Sequence, residues 1–193
     1  MKGFHLCAWL FTAEIVMAGC GGSSMQPSGP GSSTLTFQVA AGALNPADSG
    51  SYTTATANFG ASVQTCTPTP ETAGKVCPDL GVFVRGTDGR QCVMWAFAPV
   101  GKPFTVGSYP NAGFSATAAA PGFFFNCGRG GTTCADSISS FTIHELQANS
   151  SRLVIRLHMT FEQTCLAGSP PNLGPFGKGT GELWIVNGST PFS

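Results

Sequence analysis

The most regular pattern of apolar and polar positions lies at residues 152–165. Every second position there is apolar: Leu153, Ile155, Leu157, Met159 and Phe161. The positions between them are polar: Arg156, His158, Thr160 and Glu162. A period of two is typical of a strand that has one face on the core and the other in water. The stretch therefore predicts a half-buried β-strand with a basic, histidine-bearing solvated face.

The stretch at 140–146 has the same period, with Ile143 among its apolar positions and His144 among its polar ones. If the two strands pair, a shift of one residue would turn one apolar face outward. Pairings such as Ile143 opposite Ile155 or Leu157 keep the apolar faces together. The polar side chains then share the other face, which predicts a polar-face site made of His144, Arg156, His158 and Glu162.

Shorter runs predict further strands at residues 35–39, 52–59, 81–85, 91–98, 123–125 and 182–187. The run at 91–98 is apolar on both faces, so we expect it in the centre of a sheet. Clusters of Gly, Pro and Asn predict a turn at 107–112 and a loop at 168–181. Three successive phenylalanines at 123–125 point both ways, so this strand is covered on both faces or Phe124 is exposed. No segment of useful length has a helical period, and the elements predict an all-β, antiparallel, jelly-roll-like β-sandwich.

The composition agrees with strands and turns, because charged residues make up only 9% of the chain and Gly (26) and Pro (14) are abundant. Residues 20–193 contain eight Lys or Arg and eight Asp or Glu, which is nine of each less Lys2 and Glu14. No basic cluster is present. This argues against nucleic acid as a partner and against electrostatic capture from solution by an anionic membrane.

The N-terminal segment has the parts of an export signal, since Lys2 precedes an apolar stretch that ends in small residues. Met17, Ala18, Gly19 and Cys20 resemble the lipobox of a bacterial lipoprotein signal, although Met17 stands where Leu is usual and Glu14 interrupts the apolar run. The resemblance implies lipidation of Cys20 and membrane attachment at the cell envelope, on the outer membrane where two membranes are present. A plain signal peptide and a misassigned start are the alternatives.

The rest of the chain divides into a Gly, Ser and Pro tether at 20–33 and a single sandwich domain at 34–193, after a signal at 1–19. Six cysteines lie in the domain: Cys66, Cys77, Cys92, Cys127, Cys134 and Cys165. An even number of cysteines in an exported chain indicates disulfides. A bridge between Cys66 and Cys77 would close the Pro-rich excursion between them.

Several short motifs occur in a characteristic order. They are Trp95 to Pro99, Gly107 to Tyr109, Gly128 to Gly130 with Cys134, Phe141, and Phe161-Glu162-Gln163-Thr164-Cys165. This order resembles an uncharacterised β-sandwich domain of secreted bacterial proteins, with Thr164 where such relatives usually carry His. The resemblance implies a sandwich fold, export and a Cys134–Cys165 bridge, which leaves Cys92 with Cys127 and Cys66 with Cys77. It implies no activity.

Candidate chemistry is sparse. No C-x-x-C or other short ligand spacing is present, so we expect neither a metal site nor another cofactor. No nucleophile motif is visible, and His144, His158 and Glu162 are the available acid-base groups. The Gly-rich loop at 128–131 matches an anion-binding loop only weakly.

Flat aromatic side chains are the other candidate binding groups: Trp95, Tyr109, Phe124 and Trp184. Exposed on a sandwich face, such rings stack on sugars or peptides, whereas in the core they only pack. The sequence therefore predicts a non-catalytic envelope lipoprotein that serves as a structural or interaction module. The alternatives are a glycan- or peptide-binding module that uses these aromatics, and an acid-base enzyme.

Overall fold

A computed structural model describes residues 30–40, 49–64, 78–128, 136–167 and 174–189. Within these ranges the chain forms ten β-strands and no helix. The strands are β1 Thr34–Val39, β2 Gly50–Thr53, β3 Ala57–Val63, β4 Leu80–Gly86, β5 Gln91–Phe97, β6 Gly107–Ala112, β7 Gly122–Gly128, β8 Asp136–Ala148, β9 Val154–Ala167 and β10 Gly174–Val186.

The strands form two antiparallel sheets that pack face to face. The larger sheet has the order β2-β1-β10-β9-β8-β6, and the smaller one has the order β3-β4-β5-β7. All the pairings within the sheets are antiparallel. The predicted all-β sandwich is therefore confirmed. The apolar strand β5 lies between β4 and β7, as its two apolar faces indicated.

The core between the sheets is rich in aromatic rings. Phe161 lies 4.7 Å from Phe125 and 5.4 Å from Phe123, measured between ring centroids, and so joins β9 of one sheet to β7 of the other. Phe123 also stacks on Phe141, which in turn stacks on Tyr109 at 4.5 Å. Aromatic pairs add to the stability that their buried area provides. The outward-pointing Phe124 is only 6% exposed, so the Phe strand is covered on both faces.

The three longest strands, β8, β9 and β10, are neighbours in the larger sheet. Ile143 lies opposite Met159, so the apolar faces of the two strands coincide as predicted, although the partner is neither Ile155 nor Leu157. Two irregularities interrupt the β8–β9 pairing: His144 is an extra residue in β8 and Ile155 is an extra residue in β9. One of them leaves Val154 fully buried and Ile155 only partly buried, against the expected alternation.

The strand predicted at 52–59 is two strands in two different sheets. A turn divides them, in which Thr56 N–H donates to the Thr53 carbonyl at 2.9 Å and the Thr56 hydroxyl accepts from Thr53 N–H at 3.0 Å. Threonine favours strands, but its hydroxyl also bonds nearby backbone groups and so supports turns. The stretch was predicted as one strand because it is rich in Thr, and the turn was missed for the same reason.

The turn predicted at 107–112 is instead the strand β6. It lies at the edge of the larger sheet and pairs only with β8, so the missing N–H of Pro110 breaks no second ladder. Its pairing is irregular between Tyr109 and Ala112, where Asn111 has a φ of 54°. Gly, Pro and Asn therefore mark an irregular edge strand here.

The loop predicted at 168–181 is wrong from residue 174 onward, because β10 already begins at Gly174. The Gly-rich part of β10 runs between β1 and β9. A Cβ atom at Gly181 would lie 2.6 Å from Cε1 of Phe161 and 2.9 Å from the carbonyl oxygen of Thr36. Glycine at this position lets the Phe161 ring lie against the backbone of the neighbouring strand.

A disulfide joins Cys92 in β5 to Cys127 in β7, and these two residues are direct partners in the pairing of the two strands. This pairing is confirmed. Cys165 is also disulfide-bonded, and its partner lies outside the described residues. The predicted Cys134–Cys165 and Cys66–Cys77 bridges involve residues outside the described ranges and stay predictions.

Candidate functional site

Three rings stack in a row on the outer face of the larger sheet, one from each long strand. His144 of β8, His158 of β9 and Trp184 of β10 form this row, which we call the ring stack. The centroids of the two imidazoles are 4.4 Å apart with 29° between the ring planes. The centroids of His158 and Trp184 are 3.7 Å apart with 10° between the planes. The ring stack is thus ordered by contacts among its own members.

Strand alternation and register place the ring stack. Leu183 and Ile185 are buried, which turns Trp184 outward, and Trp184 lies directly opposite His158 in the β9–β10 pairing. On the other side a β-bulge adds His144 to β8, because Glu145 is the residue paired with His158. Bulges redirect side chains next to them. The regular register up to Ile143–Met159 already directs His144 toward His158, and the bulge adds Glu145 to the same face.

Glu182 joins two members of the ring stack through one carboxylate oxygen. Its Oε1 lies 2.8 Å from Nε2 of His158 and accepts the Nε1–H of Trp184 at 3.2 Å. An ionised carboxylate only accepts hydrogen bonds, so Nε2 of His158 carries the proton in this contact. On the far side of the stack, Nε2 of His144 lies 3.0 Å from the hydroxyl of Thr160.

The two imidazoles influence each other electrostatically. Burial of His144 lowers its pKa below the usual value, and the neighbouring His158 lowers it further. The Glu182 carboxylate acts in the opposite direction and raises the pKa of His144. Like charges at stacking distance repel, so positive charge on His158 disfavours protonation of His144.

The charged residues around the ring stack are paired with each other. Nε of Arg156 donates to Oε1 of Glu145 at 2.8 Å, and Gln147 donates to the same oxygen at 3.1 Å. Further along β9, Lys178 of β10 forms an ion pair of 2.8 Å with Glu162. These two pairs balance, which leaves the Glu182 carboxylate in the ring stack without a Lys or Arg partner among the described contacts.

Short hydroxyl side chains flank the ring stack. Ser108 of β6 and Thr142 of β8 lie within hydrogen-bond distance, 3.0 Å between their oxygens. At the opposite edge Thr36 of β1 and Ser51 of β2 are 3.4 Å apart. Hydroxyls both donate and accept hydrogen bonds. The face therefore presents rings in the middle and hydroxyls on both sides.

The four residues of the predicted polar-face site all lie on this outer face, but they do not form one cluster. His144 and His158 stack, whereas Arg156 is bonded to Glu145 and Glu162 to Lys178. The carboxylate at the histidines is Glu182, which the sequence interpretation did not include. The alternation of Glu182 and Trp184 with apolar Leu183 and Ile185 was the sequence signal that could have placed Glu182 on this face.

The four predicted binding aromatics are divided between the core and the outer faces of the two sheets. Tyr109 is 9% exposed and stacks in the core, where its hydroxyl donates to the Thr105 carbonyl at 2.7 Å. Trp95 and Phe124 contact each other on the outer face of the smaller sheet, with centroids 5.2 Å apart. Trp184 is the one of the four on the larger sheet's outer face, because strands β5 and β7 belong to the other sheet.

The other candidate features are a metal site, a membrane span, the lipidation residue and the Gly-rich loop. Among the described residues, no group of three or more His, Cys, Asp or Glu side chains is arranged to hold a metal ion. Nor does any helix of sufficient length and apolar character to cross a bilayer occur in the described part of the chain. Cys20, the predicted lipidation residue, and most of the Gly-rich loop at 128–131 lie outside the described residues.

Comparison of the chain with protein-family models, with curated proteins and with solved structures finds no match. The resemblance to a secreted β-sandwich domain thus stays a prediction. Any functional conclusion depends on the outer face of the larger sheet.

Proposed function

We propose that the chain is a cell-envelope lipoprotein, anchored through Cys20, whose sandwich is a non-catalytic module that binds a neutral glycan. The glycan would lie across the outer face of the larger sheet, over the ring stack. The observation that carries the proposal is the ordered row of His144, His158 and Trp184, held by Glu182, in the middle of a hydroxyl-bearing sheet face.

The chemistry of this face favours a ligand that is rich in hydroxyl groups. Imidazole nitrogens, a carboxylate and the hydroxyls of Ser and Thr are all available hydrogen-bond partners for sugar hydroxyls. The ion pairs of Arg156 and Lys178 are satisfied within the protein, so a charged ligand would have to displace a carboxylate. Trp184 adds an amphipathic ring that is partly exposed.

The second candidate is an acid-base enzyme, and one contact favours it. The hydrogen bond of 2.8 Å between His158 and Glu182 is the arrangement in which a carboxylate orients an imidazole for proton transfer. Turnover of a bound glycan would support this candidate, and binding without turnover would support the first.

The binding half of the proposal is tested by screening purified protein against neutral and acidic oligosaccharides, followed by calorimetry on the best neutral one. Trp184→Ala should weaken binding by about tenfold or more, since buried aromatic contacts are the usual hot spots. Ile138→Ala is the matched control, because Ile138 is 56% exposed on the same strand as His144. Equal weakening by both variants, or no glycan bound at all, would contradict the proposal.

The anchoring half is tested by the intact mass of protein made in a bacterial host with its own N-terminus. The expected mass is that of residues 20–193 plus acyl chains. A mass without acyl chains, or a Cys20→Ser variant that is still lipidated, would contradict it.

A further inference from the structure

One end of the sandwich combines exposed apolar and basic side chains with the start of the chain's described part. Ser33 directly precedes β1, and its hydroxyl accepts the N–H of Val186 at 2.9 Å. The tether at 20–33 therefore reaches the domain at the end of the larger sheet where β10 finishes. We call this end of the sandwich the tether end.

Backbone contacts show which loops share the tether end. Asn187 N–H donates to Ile155 at the beginning of β9, and Val63 N–H at the end of β3 donates to Arg152. The next residue, Gln64, donates its backbone N–H to the Asp79 carbonyl. The Asp79 carboxylate in turn accepts the N–H of Ala98 at 2.8 Å. The turn before β9 and the loop after β5 thus lie at the same end as Ser33.

The loop after β5 exposes apolar side chains at this end. Val100 is 51% exposed and Val106 is 55% exposed, and they account for two of the four large hydrophobic side chains exposed in the described residues. Val106 comes just before Gly107, which pairs with Ile143 and begins a strand that runs away from the tether end. These two aliphatic side chains in one loop offer a small contact surface to an apolar partner.

The charge at the tether end is basic. Lys102 and Arg152 are both exposed, and among the described residues neither forms an ion pair. Asp79 lies at this end too, but it is only partly exposed and is bonded to the backbone of Ala98. Aliphatic side chains flanked by Lys and Arg fit the interface of a bilayer with anionic headgroups.

We propose that the tether end is a lipid-docking surface, in which Val100 and Val106 enter the headgroup region while Lys102 and Arg152 contact lipid phosphates. This rests on the proposed anchoring, because two valines and two charges are too few to capture the protein from solution. A tether of 14 residues keeps the domain at high effective concentration near the bilayer, where weak contacts suffice to orient it. The ring stack lies close to this end, because Trp184 pairs with Thr34, the residue after Ser33, so a glycan over it would be bound near the bilayer surface.

The test fixes the domain to vesicles independently of Cys20 processing. Residues 20–193 include every described strand, and a His-tag ahead of residue 20 attaches them to vesicles of phosphatidylglycerol and a nickel-chelating lipid. A photo-crosslinking amino acid replaces Val100, Val106 or, as a control, Thr87. Thr87 is exposed and follows β4, whose seven residues place it about 20 Å from the tether end.

The expected result is severalfold more lipid adduct at positions 100 and 106 than at position 87. Arg152→Glu should lower the adduct at position 106 by about fivefold, since one basic residue near an anionic surface contributes roughly that factor. Arg85→Glu is the matched control, because Arg85 is exposed near the opposite end of β4, and it should leave the adduct unchanged.

Equal adduct at all three positions would overturn the docking surface. An unlipidated Cys20 in the mass measurement would overturn only the natural anchor, since the tag supplies attachment in this experiment. The two failures are therefore distinguishable.

Discussion

Glu182 is the residue on which the ring stack depends most directly, since one of its oxygens contacts both His158 and Trp184. Its carboxylate also raises the pKa of His144, against the effects of burial and of His158. Loss of the Glu182 charge should therefore change the pKa of His144, although the described hydrogen bonds of Glu182 go to His158 and Trp184.

We predict that Glu182→Gln lowers the pKa of His144 further, because the negative charge that favours the imidazolium disappears while burial and His158 still oppose it. An NMR titration of the histidine ring protons measures the change. Glu162→Gln is the matched control, since Glu162 pairs with Lys178 and should leave the His144 titration unchanged. A rise in the His144 pKa in Glu182→Gln would show that Glu182 does not act as an anion there.

Asp79 connects the ends of β4 and β5 by accepting the N–H of Ala98 at 2.8 Å. Burial raises the pKa of Asp79 above 3.8, and the Ala98 hydrogen bond offsets part of this rise. The native state therefore binds the proton more tightly than the unfolded chain does. Its contribution to stability is present below pH 3.8 and is lost as the pH rises through the native pKa.

We predict that Asp79→Asn removes this pH dependence and leaves the protein as stable at pH 7, or more stable by up to about 1 kcal/mol once solvent screening is considered. The asparagine oxygen still accepts the Ala98 N–H, and no charge is buried. Denaturant unfolding between pH 3.5 and 7 measures both effects. A large loss of stability at pH 7 would mean that the charged hydrogen bond outweighs the cost of burial.

The strand β10 shows how glycines serve packing rather than turns. Gly181 faces Phe161, and a Cβ atom would meet that ring and the Thr36 carbonyl at less than 3 Å. Gly179, two residues earlier on the same strand, has only the Gln38 carbonyl oxygen nearby, at 3.8 Å. The two positions form a natural comparison.

We predict that Gly181→Ala destabilises the domain by about 1–3 kcal/mol, because Phe161 must leave its place in the aromatic core. Gly179→Ala should change the free energy of unfolding by much less, since nothing has to move. Chemical denaturation of the two variants measures the difference. Similar values for both would show that β10 shifts to accommodate a methyl group.

The β-bulge in β8 affects which side chains reach the outer face of the larger sheet. With regular pairing, residues on the outer face alternate strictly, and His144 and Glu145 would point in opposite directions. In the structure both reach outer-face partners, His144 the ring of His158 and Glu145 the guanidinium of Arg156. The bulge thus adds Glu145, the partner of Arg156, to the face that already carries His144.

The Cys92–Cys127 disulfide constrains the smaller sheet as a whole, because it joins neighbouring strands that are 35 residues apart in sequence. We predict that the double variant Cys92→Ala with Cys127→Ala loses about 4 kcal/mol of stability, through the greater freedom of the unfolded chain. Thermal or denaturant unfolding of oxidised protein measures this, with reduced wild-type protein as the comparison. A loss below about 1 kcal/mol would mean that residual structure in the unfolded chain already holds the two strands together.

The sandwich separates two surfaces of different character. The larger sheet presents Trp184 and the histidines among paired charges, while Trp95, Phe124 and Phe114 lie together on the smaller sheet. The four aromatics that looked equivalent in the sequence are divided between the two sheets and the core. Which sheet a strand joins depends on the whole pattern of pairing, and this was not visible in any single strand.

The sequence alone determined the all-β class and, in most strands, which side chains face the core. His158 between Leu157 and Met159, and Trp184 between Leu183 and Ile185, point outward because side-chain direction alternates along an extended backbone. The Cys92–Cys127 pairing was also foreseen, from resemblance rather than from local pattern. Only the tertiary structure decided that β10 lies beside β9, that a bulge brings Glu145 to the outer face, and that Glu182 joins the ring stack. These features depend on strand order and register, which are set by packing between distant parts of the chain and leave no period in the local sequence.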